Sequence, residues 1–167
     1  MNPRQDAQQS EQQQQQQLIE DFYRAFQQKD FAFMAQCYHP DAYFRDEAFE
    51  LSGNEPGAMW HMLCERGQDM TLEFSVAQNN GRTSAHWEAR YTFSQTGRTV
   101  HNIIDAEFEF KEGKIVHHID RFNFWRWSRQ ALGLPGLLLG WSPFLRHKVS
   151  RMAMTSLQRF MANNHYQ

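Results

Sequence analysis

Between Leu72 and Trp125 the chain carries four strand-like runs separated only by tight-turn signals at Asn80-Gly81, Thr96-Gly97 and Glu112-Gly113. No other feature narrows the fold as much. Asn-Gly and similar pairs supply the positive backbone angles that short hairpins need. The runs therefore form an antiparallel meander. Helical patterns precede it and an apolar, basic tail follows. Helices followed by a four-stranded meander describe an α+β fold, a cone-shaped α+β barrel in which N-terminal helices pack on a curved antiparallel sheet.

The alternation along these runs assigns the faces. Leu72, Phe74 and Val76 share one side of the first run. Trp87, Ala89, Tyr91 and Phe93 share a side in the second, against His86, Glu88 and Arg90. In the third, Asn102, Ile104, Ala106, Phe108 and Phe110 oppose Asp105, Glu107 and Glu109. In the last, Val116, His118, Asp120, Phe122 and Phe124 oppose His117, Ile119 and Arg121. Such clean alternation gives a sheet with one covered face and one wet or partner-facing face.

Upstream, Leu18, Ile19, Phe22 and Phe26 mark the first helix. Asp30 is placed to cap a short second helix with Phe31, Met34, Ala35 and Tyr38. Ala42 to Asp46 reads as a short strand with Phe44 and Asp46 on one side. A third helix, capped by Ser52 or Asn54, turns Met59, Trp60 and Leu63 inward and stops at Gly67. Three segments follow: a disordered Gln-rich lead or frayed helix extension over 1–17, the α+β domain over 18–127, and a helical extension over 128–167. Within the extension, Val149, Met152, Ala153, Leu157 and Phe160 form an amphipathic stripe. The uncharged stretch 132–145 is too short to span a bilayer, which takes roughly 20 apolar residues; lid, interface and core all remain open for it.

Charge is segregated. Residues 1–120 hold ten Lys/Arg and all nineteen Asp/Glu, whereas residues 121–167 hold seven Lys/Arg and no acid. The favoured arrangement lays the basic tail over the acidic body of its own or a second subunit, a homodimer. An anionic membrane is a lesser alternative, and the acidic body argues against nucleic acid. Cys37 and Cys64 have no metal-like spacing and suit a reduced, cytoplasmic setting. The polar opening of the chain does not resemble a signal peptide. His117 and His118 point to opposite faces, and the remaining histidines make no metal spacing, so no metal is expected. No phosphate loop, nucleophile elbow or dinucleotide fingerprint occurs, so no cofactor is expected.

Three segments carry a resemblance: Ile19-Glu20-Asp21-Phe22-Tyr23-Arg24-Ala25-Phe26 with Lys29-Asp30-Phe31, Tyr38-His39-Pro40-Asp41-Ala42-Tyr43-Phe44-Arg45-Asp46, and Glu112-Gly113-Lys114-Ile115-Val116-His117-His118-Ile119-Asp120-Arg121-Phe122. Together they resemble the nuclear transport factor 2-like superfamily, in its SnoaL-like branch. That superfamily includes ketosteroid isomerases, limonene-epoxide hydrolases and SnoaL-type polyketide cyclases. The resemblance covers roughly residues 15–125 and implies the cone fold. It implies that Asp46 matches the isomerase base and Asp120 the cyclase acid/base. The isomerase's tyrosine donor falls on Phe22, one place from Tyr23, and its acidic donor falls near Asp105 or Ala106. The epoxide hydrolase's Arg-x-Asp pair is missing from His86-Trp87-Glu88-Ala89-Arg90.

Carboxylates placed among aromatics lose solvation of their charged form, which raises the pKa towards neutrality and suits proton transfer. Asp120 is the expected acid/base, with Asp46 as a second carboxylate and His118 orienting Asp120. Trp60, Trp87, Tyr91, Asn102 and Phe122 are expected to line the pocket. The expected ligand is a small apolar, oxygenated molecule, handled by a cofactor-free isomerase, cyclase or (de)hydratase. The competing expectation is a non-catalytic binding or homodimeric assembly module on the same fold.

Overall fold

Asn80 and Gly81 both take positive φ (52° and 76°), as do Glu112 and Gly113 (53° and 74°). These are the primed turns whose twist matches the flanking strands. They close the hairpins β3–β4 and β5–β6 in a computed structural model that describes residues 3–166. Here β3 spans Thr71–Asn79, β4 Arg82–Phe93, β5 Arg98–Lys111 and β6 Lys114–Phe122. Ahead of them lie α1 (Pro3–Gln27), α2 (Phe31–Gln36), β1 (Tyr38–Arg45), β2 (Glu50–Ser52) and α3 (Glu55–Arg66). After them come α4 (Phe124–Leu132), α5 (Leu134–Leu139) and α6 (Pro143–Asn163).

The strands make one six-stranded sheet in the order β2-β1-β6-β5-β4-β3. Strand β1 runs parallel to β6, and every other pair is antiparallel. The sheet curves but does not close, so the cone is an open one rather than a barrel. Its inner face carries Trp87, Ala89, Ile104, Ala106 and Phe108, packed against Ile19, Phe22, Tyr23 and Phe26 of α1 and Trp60 of α3. Its outer face is a charged lattice in which Arg121 pairs with Glu107 (3.0 Å), His86 with Asp105 (2.8 Å) and His117 with Glu109 (3.0 Å).

Several local expectations are corrected. Over residues 3–17 the Gln-rich lead takes the helix-extension alternative and forms the first turns of α1. Tyr38 does not end α2; it opens β1, because Cys37 closes the helix. β1 then stops at Arg45, so Asp46 sits in the turn that follows, and the short strand β2 pairs back on β1. A bulge opposite Glu109 and Phe110 shifts β6 by one residue, burying Ile115 where the alternation pointed to Val116. Phe124 has left the sheet. Asn123 accepts from the Arg126 amide (2.9 Å) and caps α4, which continues the chain without an intervening linker. Asp30 caps α2 through the Phe33 amide (3.0 Å), as read from the sequence.

Helix α6 crosses the open end of the cone. Arg146 pairs with Glu47 (2.7 Å), Ser150 donates to the Ala48 carbonyl (2.8 Å) and Arg66 donates to Ser156 (2.7 Å). Its inward side places Leu145, Leu157 and Phe160 in buried positions. Among the described residues no helix is long and apolar enough to cross a membrane.

Candidate active site

The inward face of β6 presents His118 and Asp120 two residues apart, so both side chains enter the cone. They are 0% and 3% exposed. His118 Nε2 lies 2.8 Å from Asp120 Oδ1. Its other ring nitrogen, Nδ1, lies 2.7 Å from the hydroxyl of Tyr38. That hydroxyl in turn accepts from the indole N–H of Trp60 at 2.8 Å.

The chemistry of these groups gives the chain a direction. Trp60 can only donate, so Tyr38 accepts there and has its own proton to give. It donates that proton to Nδ1 of His118, which must then be bare. The imidazole proton sits on Nε2 and goes to Asp120. Every N–H and O–H in the run Trp60–Tyr38–His118–Asp120 thereby has an acceptor, which favours burying such a network. Burial also drives the Tyr38 hydroxyl well above its ordinary pKa, so it holds its proton.

Aromatic rings hold the imidazole on several sides. Phe108 lies 4.3 Å away between centroids, Phe44 meets it edge-on at 4.9 Å, and Phe22 does so at 6.0 Å. The parallel pairing of β1 with β6 sets Phe44 directly beside His118. Asp120 is thus fixed through one oxygen. Among the described residues no donor reaches its other oxygen.

Asp46 is held differently. Its Oδ1 accepts the backbone amides of Ala48 (2.7 Å) and Phe49 (2.6 Å), which tie the turn. Burial pushes its carboxyl up to about 7; the two amides oppose this and the charge of Asp120 adds to it. With Oδ1 committed as an acceptor, the remaining oxygen is the one that carries the proton.

Both carboxyls line one cavity of about 570 Å³. That falls within the range of small-molecule sites. The cavity wall includes Trp60, Trp87, Tyr91, Asn102 and Phe122. His118 stands behind Asp120 rather than in the wall. Tyr91 accepts from the Trp127 indole (2.9 Å), and burial followed by the field of Asp46 leaves its hydroxyl at about 12. The tail forms one side of the mouth through Leu132, Pro135, Leu145, Val149 and Met152. Among the described residues the Trp87 indole N–H and the Tyr23 hydroxyl are buried with no hydrogen-bond partner. Their rings lie 5.9 Å apart. Among the described residues no group of three or more His, Cys, Asp or Glu side chains could hold a metal ion.

Sequence reasoning missed Tyr38 and the indole of Trp60 as members of the polar chain. The available signal was a tyrosine directly before His39-Pro40, where a helix must end. Reading it as the start of a strand beside β6 would have brought it to His118.

The SnoaL-like domain family profile matches residues 19–118. No curated protein matches the chain. Solved structures do. A candidate polyketide cyclase from Xanthomonas campestris pv. campestris is 20% identical, with a TM-score of 0.60 over 72% of this chain and 98% of its own. A candidate hydroxylase from Streptomyces galilaeus is also 20% identical, with a TM-score of 0.58 over 75% and 96%. An LEH-like epoxide hydrolase from M. tuberculosis is 17% identical, with a TM-score of 0.57 over 76% and 96%. At such identities the likeness carries the fold and no particular reaction.

Proposed function

The chain belongs to the SnoaL-like domain family, of the nuclear transport factor 2-like fold, and on that footing we propose that it binds a small apolar, oxygenated molecule and moves a proton on it. The observation that carries this reading is the pairing, in one apolar cavity, of two carboxyls held in opposite ways. Asp120 is an acceptor fed by the His118–Tyr38–Trp60 chain. Asp46, at about 7, keeps a proton to donate near neutrality. A hydrogen-bond acceptor and a proton-bearing carboxyl facing one cavity can divide the roles of base and acid.

The step is a proton abstraction beside a carbonyl. The free oxygen of Asp120 takes the proton from the carbon, and the C–H electron pair moves through the new C=C bond onto the carbonyl oxygen. Asp46 donates its proton, or a hydrogen bond, to that oxygen. In a conjugated ketone, return of the proton from Asp120 to a different carbon, with the oxygen-bound proton going back to Asp46, completes an isomerisation; attack of the enol carbon on a second carbonyl, whose oxygen takes the proton held by Asp120 while Asp46 recovers its own, completes a cyclisation.

A panel of apolar ketones and enones incubated with the protein in D₂O tests this by NMR. The wild type is expected to place deuterium next to the carbonyl of at least one member. In Asp120→Asn the rate should drop by about 100-fold or more. The same probe at 100 times its dissociation constant should raise wild-type stability by about 2.7 kcal/mol. Exchange that is unchanged in Asp120→Asn would overturn the assignment. Stabilisation without exchange in any member would leave a binding module.

A further inference from the structure

We propose that the α5 hairpin and the start of α6 form a contact surface for an anionic lipid bilayer, with the cavity mouth at its edge. The feature is an apolar patch that the fold leaves uncovered. Leu138 is 59% exposed, Phe144 70% and Trp141 74%, and Leu134, Leu137 and Leu139 accompany them.

Packing dictates this display. Gly136 and Gly140 face α4 so closely that a Cβ on Gly136 would lie 1.9 Å from the Ser128 carbonyl oxygen. With glycine on the inward side of the short helix, the leucines of Gly136-Leu137-Leu138-Leu139-Gly140 turn outward.

Three observations identify the occupant. The first is the treatment of the exposed backbone. Trp125 donates to the Leu137 carbonyl (3.2 Å), Trp141 to the Leu138 carbonyl (2.8 Å) and Ser142 to the Leu139 carbonyl (2.7 Å). The last carbonyls of α5 thus have protein donors, the Leu139 carbonyl also accepting the Ser142 amide (2.8 Å), so covering this end leaves none of them unpaired.

The second is charge. Residues 121–167 hold seven Lys/Arg and no acid. Among the described residues only Arg121 and Arg146 of these seven reach a carboxylate. Arg126, Arg129, Lys148, Arg151 and Arg159 do not, so the tail is not neutralised by its own body. Arg129, held 4.6 Å over the Trp125 ring beside α5, and the positive balance of the whole segment match the layered chemistry of an anionic membrane surface.

The third is continuity. Pro135, Leu145 and Met152 belong to the cavity wall, so apolar surface runs from the patch into the cavity. On the function proposed above, the bilayer would be the source of the ligand; the contact itself does not depend on that function.

Flotation of the full chain with phosphatidylcholine vesicles, with and without phosphatidylglycerol, tests the contact without any ligand present. The wild type is expected to float with the anionic vesicles and to be released as salt shortens the screening length from about 10 Å at 0.1 M to about 3 Å at 1 M. The double variant Leu138→Glu/Phe144→Glu should keep its circular dichroism and melting temperature, since both sites are exposed. Its vesicle partition should drop by about tenfold or more. Failure of the wild type to float, or equal flotation of wild type and variant, would overturn the proposal. A wild-type dimer that the variant converts to monomer, with no flotation, would show instead that a second copy covers the patch.

Discussion

Cone and tail treat the same kinds of side chain in opposite ways. In the cone, Phe22, Phe26, Phe44 and Trp60 are fully buried, and two polar groups, His118 and Asp120, are buried with them. In the tail, leucines, Trp141 and Phe144 face outward. Both regions follow one habit, giving protein partners to polar groups beside apolar surface, with the Trp87 N–H and the Tyr23 hydroxyl as exceptions in the cone. The cone applies it to side chains, through the run Trp60–Tyr38–His118–Asp120. The tail applies it to backbone, through two indoles and a serine that cover the last carbonyls of α5. Each region has prepared an apolar environment, the cone inside itself and the tail at its surface.

The largest effect should come from His118→Ala. It removes a ring packed against Phe108 and Phe44 and leaves Tyr38 and Asp120 buried without it. Unfolding stability should fall by about 4–5 kcal/mol in a denaturant titration. A loss within 1 kcal/mol would mean that the polar chain is not integral to the cone.

Asp46→Asn should act in the other direction. The folded carboxyl titrates at about 7 against an ordinary 3.8. Between those values the folded chain holds a proton that the unfolded chain has released, so wild-type stability falls as pH rises through that window. The amide keeps an acceptor for Ala48 and Phe49 and carries no charge. The variant should therefore gain about 2–4 kcal/mol over wild type at pH 8 and little at pH 4. On the proposed chemistry, wild-type turnover should decline above about pH 7, as Asp46 loses its proton.

Gly136→Ala should cost about 1–3 kcal/mol, from overpacking against Ser128. Hydrogen exchange should show the loss in α4 and α5 while the β4–β5 ladder keeps its protection. Loosening of the whole sheet would make cone and tail one cooperative unit. The smallest effect should be Leu138→Ser, within about 0.5 kcal/mol by thermal melting, because the site is exposed in the folded chain.

The sequence was most legible where local rules act alone. The turns at Asn80-Gly81 and Glu112-Gly113, the Asp30 cap and the alternation of β4 and β5 follow from residue type and period. Less legible was whatever depends on a distant partner. Tyr38 continued a helical pattern in sequence, but its place in β1 is set by pairing with β6, nearly eighty residues later. The bulge that buries Ile115 has no signature of its own in β6. Both carboxyls and the five expected wall residues could be read as inward-facing from alternation and helix period. Their support could not: the backbone amides on Asp46 and the phenol behind His118 arise only when β1, α3 and β6 meet. In the tail, amphipathic periodicity describes α6, while two glycines decide which side of α5 is hidden.

The most direct test of the division of labour between the two carboxyls is a carbon-13 NMR titration of aspartate carboxyl carbons, with Asp46→Asn used to assign one resonance. The account predicts that Asp46 titrates with a midpoint near 7, so that at neutral pH it is still in part an acid. A midpoint near 4, the ordinary aspartate value, would contradict it and remove Asp46 as a proton donor in the cavity.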